Sequence, residues 1–221
     1  MSLLGFDTST AATTAAVLRS DGRAFELLPP PARLSGSPGH ARELMPAVRE
    51  VMERAELEAS ELEAVAVGVG PGGFTGLRIG IATARALASA VGIPVRPVSS
   101  LAALAAGIDD PMRLALLDAR RDELFAALYG GDELLWPPFA VTPEALVERV
   151  RGAGLDPLAA GDGSVRFRAA LEAGGIRVAA DTEPSHAVSA LRVCRLASRV
   201  PGRPPEAVLP EYLRAPDARP R

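Results

Sequence analysis

Three places in the chain carry side chains of the kind that do chemistry. The first is Asp7-Thr8-Ser9-Thr10, which closes the apolar run "LLGFDTST". Hydroxyls and backbone N–H groups at such a strand tip can touch a phosphate, with Asp7 helping to hold a metal ion. The same residues also make a capped turn, because Asp, Ser and Thr side chains bond their own backbone. The second is Asp118 in "LALLDARRDELF". A phosphate loop needs close backbone approach, and Arg120, Arg121, Asp122 and Glu123 supply no glycine for it. A charged, solvated turn is the expectation there. The third is "GPGGFTGLRIG", residues 70–80, a glycine-rich turn opening a helix whose first free N–H groups would attract an anion.

Residue types and spacing remove several chemistries. The chain has no lysine, asparagine or glutamine, so all 24 cationic side chains are arginine. A Walker lysine, a Schiff base and a side-chain amide for an oxyanion hole are therefore excluded. The third stretch lacks the G-x-x-x-x-G-K-[ST] pattern, and no acidic residue follows it where a dinucleotide site needs one. What it has is Gly76, Gly80, Ala84 and Ala88 at four-residue spacing, one flat stripe where another helix can come close. This favours packing over phosphate binding. His40 lacks a second zinc-type ligand one turn on, since Leu44 stands there, and His186 is far away in sequence. No metal site and no cofactor are expected. "AAGDGSVRF" (159–167) reads either as an adenosine-binding turn or as a routine strand-to-helix connection.

The elements that must position these residues follow from periodicity and punctuation. The 221 residues suffice for one domain or two small lobes. A net charge of -3 does not favour nucleic-acid binding by the whole surface. The single cysteine, Cys194, rules out an internal disulfide, and the chain opens directly on a strand pattern with no basic n-region; a cytoplasmic protein is the expectation. Arg78 and Arg85 interrupt the apolar run 76–93, so no membrane span is read there. After three strands, "HARELMPAVREVMERAEL" has helical period, with Ala41, Leu44, Met45, Val48, Val51, Met52 and Ala55 on one face and Pro46 expected to distort its first turns. A buried strand, the glycine-led helix, another strand and a short helix complete the first half. The second half repeats the plan, with Thr142 and Pro143 starting a helix. "VRFRAALEAGG" reads as one helix and "PSHAVSALRVCRLASRV" as a long one. The two openings match: strand, aspartate, polar turn, alternating strand. This predicts an α/β protein with mixed sheets and two duplicated lobes, residues 1–105 and 106–221, of the actin-like ATPase (ribonuclease H-like) plan. The last long helix is free to pack back on the first lobe.

Together, "LLGFDTST", "GHARELMPAV", "GVGPGGFTGLRIG", "LLDARRDELFAALY" and "LPEYLR" resemble the TsaB (YeaZ) family over nearly the whole chain. The resemblance implies a two-lobed actin-like fold without catalytic residues of its own. It implies a part in making threonylcarbamoyladenosine at position 37 of tRNA, beside a catalytic TsaD-like transferase and a TsaE-like ATPase, with tRNA met only through the complex. Active relatives carry an H-x-x-x-H pair; here His40 is followed by Leu44. The implied pairing surface comprises His40, Leu44, Met45 and Val48 on the first helix and Phe74, Thr75, Gly76, Arg78, Gly80 and Ala84 on the second. It would face TsaD or a second copy in a homodimer. Asp7, Thr8, Ser9 and Asp118 would be a vestigial nucleotide site. The alternative from another class is an active ATPase or phosphotransferase of the same superfamily.

Overall fold

The computed structural model describes residues 1–213. Arg214 and the end of the tail, expected from its composition to be loose, lie outside the described residues. Asp21-Gly22, with Gly22 at φ 90°, turns the chain between two of the first three strands, β1 (Leu3–Asp7), β2 (Thr14–Leu18) and β3 (Ala24–Leu27). These pair antiparallel; β4 (Ala64–Gly68) joins β1 and β5 (Val95–Val98) joins β4, both parallel. The sheet order is β3-β2-β1-β4-β5. β1 and β4 are buried along their whole length, as parallel strands covered on both faces require.

The second sheet repeats this. β6 (Met112–Arg120), β7 (Glu123–Gly130) and β8 (Glu133–Val141) form an antiparallel meander, and β9 (Leu158–Ala160) and β10 (Arg177–Val178) add parallel to the other side of β6. Its order, β8-β7-β6-β9-β10, matches the first strand for strand. The protein is thus the mixed α/β, duplicated actin-like fold that its two matching openings predict.

Helices cover both sheets. α1 (His40–Arg54) and α2 (Phe74–Val91) pack on the outer face of the first sheet; α4 (Pro143–Gly152) and α6 (Arg168–Ala173) pack on that of the second. Between the sheets lie α3 (Ser100–Ala105) and α7 (Ala190–Ala197), in one core with residues of both halves, including Leu3, Leu117 and Val193. The last helix, α7, packs on β1 and β2. Gly5 makes this approach close: a Cβ there would sit 2.4 Å from Cys194 Sγ.

Three helices differ from their sequence expectations. "VRFRAALEAGG" is not one helix: α5 (Asp162–Arg166) ends and α6 begins around Phe167, whose φ of -108° and ψ of 20° leave the helical region. The final helix is eight residues, not a long run, because Pro184–His186 form a separate 3-10 turn and the Ser189 side chain caps α7 by accepting from the Arg192 amide. Pro46 leaves α1 continuous from His40 to Arg54. It lies on the exposed side, where water can satisfy the Arg42 carbonyl that loses its helical donor.

The largest revision concerns α2. Gly76, Gly80, Ala84 and Ala88 do form a stripe, but all four are buried within this chain. A Cβ on Gly76 would lie 2.1 Å from the Thr8 carbonyl oxygen, and one on Gly80 would lie 2.3 Å from Thr8 Oγ1. The Thr8 hydroxyl donates to the Gly76 carbonyl at 2.8 Å. Small residues here admit the chain's own β1–β2 turn, not a second subunit. The outward face of α2 is instead Thr75, Arg78, Ala82, Ala86 and Ser89. Gly80→Ala is expected to cost about 1–3 kcal/mol through overpacking, and Gly80→Arg to prevent folding. Ala82→Arg is expected to shift stability by no more than about 0.5 kcal/mol. Chemical denaturation followed by circular dichroism checks all three, and a stable, native-like Gly80→Arg protein would contradict the packing.

Candidate functional site

A cleft of about 700 Å³ opens where the two halves meet. Ser9 and Thr10 from the β1–β2 turn, Gly73 to Gly76 from the start of α2, and His40 line one side; Asp118, Arg120 and Asp162 line the other. Asp7 is not exposed in it. The residue is 1% exposed, and both carboxylate oxygens are occupied. Oδ1 accepts from the Ser9 amide at 2.8 Å and the Ser9 hydroxyl at 2.6 Å, and Oδ2 accepts from the Ser100 hydroxyl at 2.7 Å. Gly68 leaves room for the carboxylate, since a Cβ there would lie 1.8 Å from Oδ2. Burial pushes the Asp7 carboxyl up, against the pull of the Ser9 and Ser100 hydrogen bonds. Thr8 is fully buried under α2. Of the proposed vestigial site, Asp7 and Thr8 are therefore sealed away from the cleft, and Ser9 and Asp118 border it.

On the opposite wall, Asp118 is held in ion pairs and is not a solvated turn residue. The Arg166 guanidinium contacts its two oxygens at 2.8 and 3.0 Å and also reaches Asp122 at 3.0 Å. Arg120 adds a contact at 3.2 Å, and the Asp118 side chain is 10% exposed. These contacts brace a turn in which Arg120, Arg121 and Asp122 all have positive φ, at 62°, 51° and 59°. Three successive non-glycine residues in that region cost about 1 kcal/mol or more each. The glycines of the neighbouring connection also serve packing: a Cβ on Gly161 would meet the Leu116 carbonyl oxygen at 1.9 Å. His186, fully buried, holds this connection by contacts to Gly161 and Ser164.

His40 is buried at the base of the cleft, 2.8 Å from the Thr13 hydroxyl, which donates to Glu43 at 3.0 Å. Burial lowers its pKa, opposed by a hydrogen bond to the Thr10 backbone and by the charges of Asp7 and Glu43. Among the described residues no group of three His, Cys, Asp or Glu side chains is placed to hold a metal ion. The pairing set divides sharply. Leu44 and Val48 are core residues, 2% and 6% exposed, because the inner face of α1 packs on the sheet; with Gly76, Gly80, Ala84 and His40 they cannot present side chains to another chain. Met45, Thr75 and Arg78 are exposed and Phe74 is half-buried. Sequence reasoning missed Ser100 and Thr13, whose partners are 93 and 27 residues away, and Tyr212, whose ring meets Phe74. Ser100 and Thr13 carry no local signal, and the "LPEYLR" motif that holds Tyr212 does not say which ring it meets.

Asp162 was also missed as a site residue. Its carboxylate accepts from the Asp118 amide at 3.0 Å. Burial, reinforced by the nearby Asp118 charge, pushes its pKa up to about 6. At this group the folded state therefore binds a proton more tightly than the unfolded chain, and the group's contribution to stability is lost as pH rises from about 4 to 6. Asp162→Asn keeps a carbonyl acceptor and removes that charge. It is expected to raise stability above pH 6 by up to about 2 kcal/mol and to flatten this part of the pH profile. Urea unfolding at pH 4 and pH 7.5 measures it; an unchanged pH dependence would refute the assignment.

No described helix is long and apolar enough to cross a membrane. The family model for TsaD, tRNA N6-adenosine threonylcarbamoyltransferase, matches residues 35–135. An uncharacterized protein of Mycobacterium leprae is 42% identical over 127 residues, 58% of this chain and 35% of that protein. The tRNA threonylcarbamoyladenosine biosynthesis protein TsaB of Escherichia coli is 36% identical over 140 residues, 60% of this chain and 57% of that protein. These matches thus span between a third and about three-fifths of the curated relatives. The solved structure of YeaZ from Pseudomonas aeruginosa is similar throughout: TM-score 0.77 and 31% identity, covering 96% of this chain and 99% of that one. With one fold and nearly a third of its residues shared from end to end with that structure, the chain belongs to the TsaB (YeaZ) family.

Proposed function

We propose that the chain is a non-catalytic subunit of the machinery that makes threonylcarbamoyladenosine in tRNA. In this reading it docks on a TsaD-like transferase and supports its activity, joined by a TsaE-like ATPase, and meets tRNA only through the complex in the cytoplasm. A second copy occupies the same face when the transferase is absent. The observation that carries the reading is the closure of Asp7 by Ser9 and Ser100. A carboxylate with both oxygens occupied and 1% exposure is poorly placed to bind magnesium or activate water. His40, engaged by Thr13 and followed by Leu44 in the core, likewise lacks a second ligand beside it. The name of the E. coli relative points to the same pathway.

The docking face is the outward side of α1 and α2: Met45, 49% exposed, on α1, and Thr75, Arg78, Ala82 and Ala86 on α2. A stable interface there buries at least about 1,000 Å². The cleft of about 700 Å³, with Ser9, Thr10 and Arg120 on its walls, is the feature that favours the second reading, an active ATPase or phosphotransferase. The two readings part on one set of measurements. The isolated chain is expected to show neither ATP hydrolysis nor tRNA modification. It should co-elute with a TsaD-type transferase and raise transfer to tRNA when TsaE and the threonylcarbamoyl adenylate are supplied. Ala82→Arg should weaken co-elution at least tenfold with unchanged thermal stability. ATP hydrolysis by the chain alone, lost in Asp118→Ala, would instead establish the second reading.

A further inference from the structure

Past Val208, which is fully buried, the described chain runs back over the first turn of α2. The Glu211 amide donates to the Val69 carbonyl oxygen at 2.8 Å. A Cβ on Gly70 would lie 2.8 Å from the Glu211 carbonyl oxygen, so the segment lies flat on the glycine-rich turn. The Tyr212 ring stacks on Phe74, with centroids 5.3 Å apart and planes at 28°. Arg78 lies 3.8 Å over the Phe74 ring, and its Nε donates to the Tyr212 hydroxyl at 3.1 Å.

Little of this segment is core. Leu209, Tyr212 and Leu213 are 67%, 37% and 38% exposed. Phe74 and Arg78 are neighbours one turn apart at the leading end of the outward face of α2.

We infer that residues 209–213 are a strap that caps Phe74 and ties down the Arg78 side chain in the free chain and lifts away when a helix of a protein partner takes their place. The inference rests on the docking reading above. Among the described residues the strap is held by one backbone hydrogen bond, one ring stack and the Arg78 contact, all of which an incoming chain can replace without opening the core at Val208. A partner that binds only the uncovered form has its affinity reduced by the fraction of chains that are uncovered.

The test uses the full chain, Tyr212→Ala, Glu211→Pro and the face variant Ala82→Arg. Each is titrated against a purified TsaD-type transferase by calorimetry, with hydrogen exchange at residues 209–213 in the free and bound states. Tyr212→Ala removes the stack, and Glu211→Pro removes the amide that bonds Val69. Both are expected to bind about 3–10-fold more tightly than the unaltered chain. In the unaltered chain the Glu211 amide should exchange faster in the complex than free. Equal or weaker binding by both strap variants, or slower exchange on binding, overturns the strap. If the unaltered chain binds and Ala82→Arg does not, such a result sinks the strap alone. Absence of binding by all four chains sinks the docking reading with it.

Discussion

The close contact between α2 and the β1–β2 turn is the constraint on which the rest of the structure depends. Gly76 and Gly80 bring the helix against Thr8 without an intervening side chain, and Thr8 bonds the helix backbone. Three consequences follow from that one approach. The turn carrying Asp7 is pressed inward, where Ser9 and Ser100 enclose the carboxylate. The first turn of α2 becomes a wall of the cleft between the halves. The face of α2 that remains outside is the polar and small-residue side from Thr75 to Ser89.

The two halves share a sheet order and diverge in how they treat the aspartate at the end of the central strand. In the first half hydroxyls occupy Asp7 and the protein closes over it. In the second half Arg166 and Arg120 pair with Asp118 at the cleft wall, and Arg166 braces a turn of three left-handed residues. Duplicated topology therefore preserved the place of each carboxylate but not its electrostatic setting. A carboxylate held by serine hydroxyls and one held by guanidinium groups differ in exposure, charge balance and what they can contact. That difference separates a residual cleft from a working nucleotide site in the reading favoured above.

Much was legible along the chain, because it rests on local chemistry or short-range period. The strand–aspartate–turn–strand openings repeat, and repetition of pattern is repetition of fold. Thr142 followed by Pro143 starts α4, since a hydroxyl acceptor and a preset φ suit the first helical turn. The apolar positions of α1 showed which residues are greasy. They did not show which are hidden: Leu44 and Val48 are core, whereas Met45, adjacent in sequence, is half exposed. A single helical face wide enough to include all of them spans both the sheet contact and its rim.

By itself the sequence determined the class of the fold, its duplication, the absence of lysine and disulfide chemistry, and the glycines that allow one close helix approach. Only the tertiary structure decided what that helix approaches. Spacing of four residues makes a flat stripe, but a stripe has no address; the Thr8 turn, about 70 residues upstream, supplied it. The sealing of Asp7 by Ser100, the raised pKa of Asp162 beside Asp118, and the seat of Tyr212 on Phe74 likewise join residues 93, 44 and 138 positions apart. Burial and desolvation are sums over whatever the fold brings near, and they are not encoded at any one position.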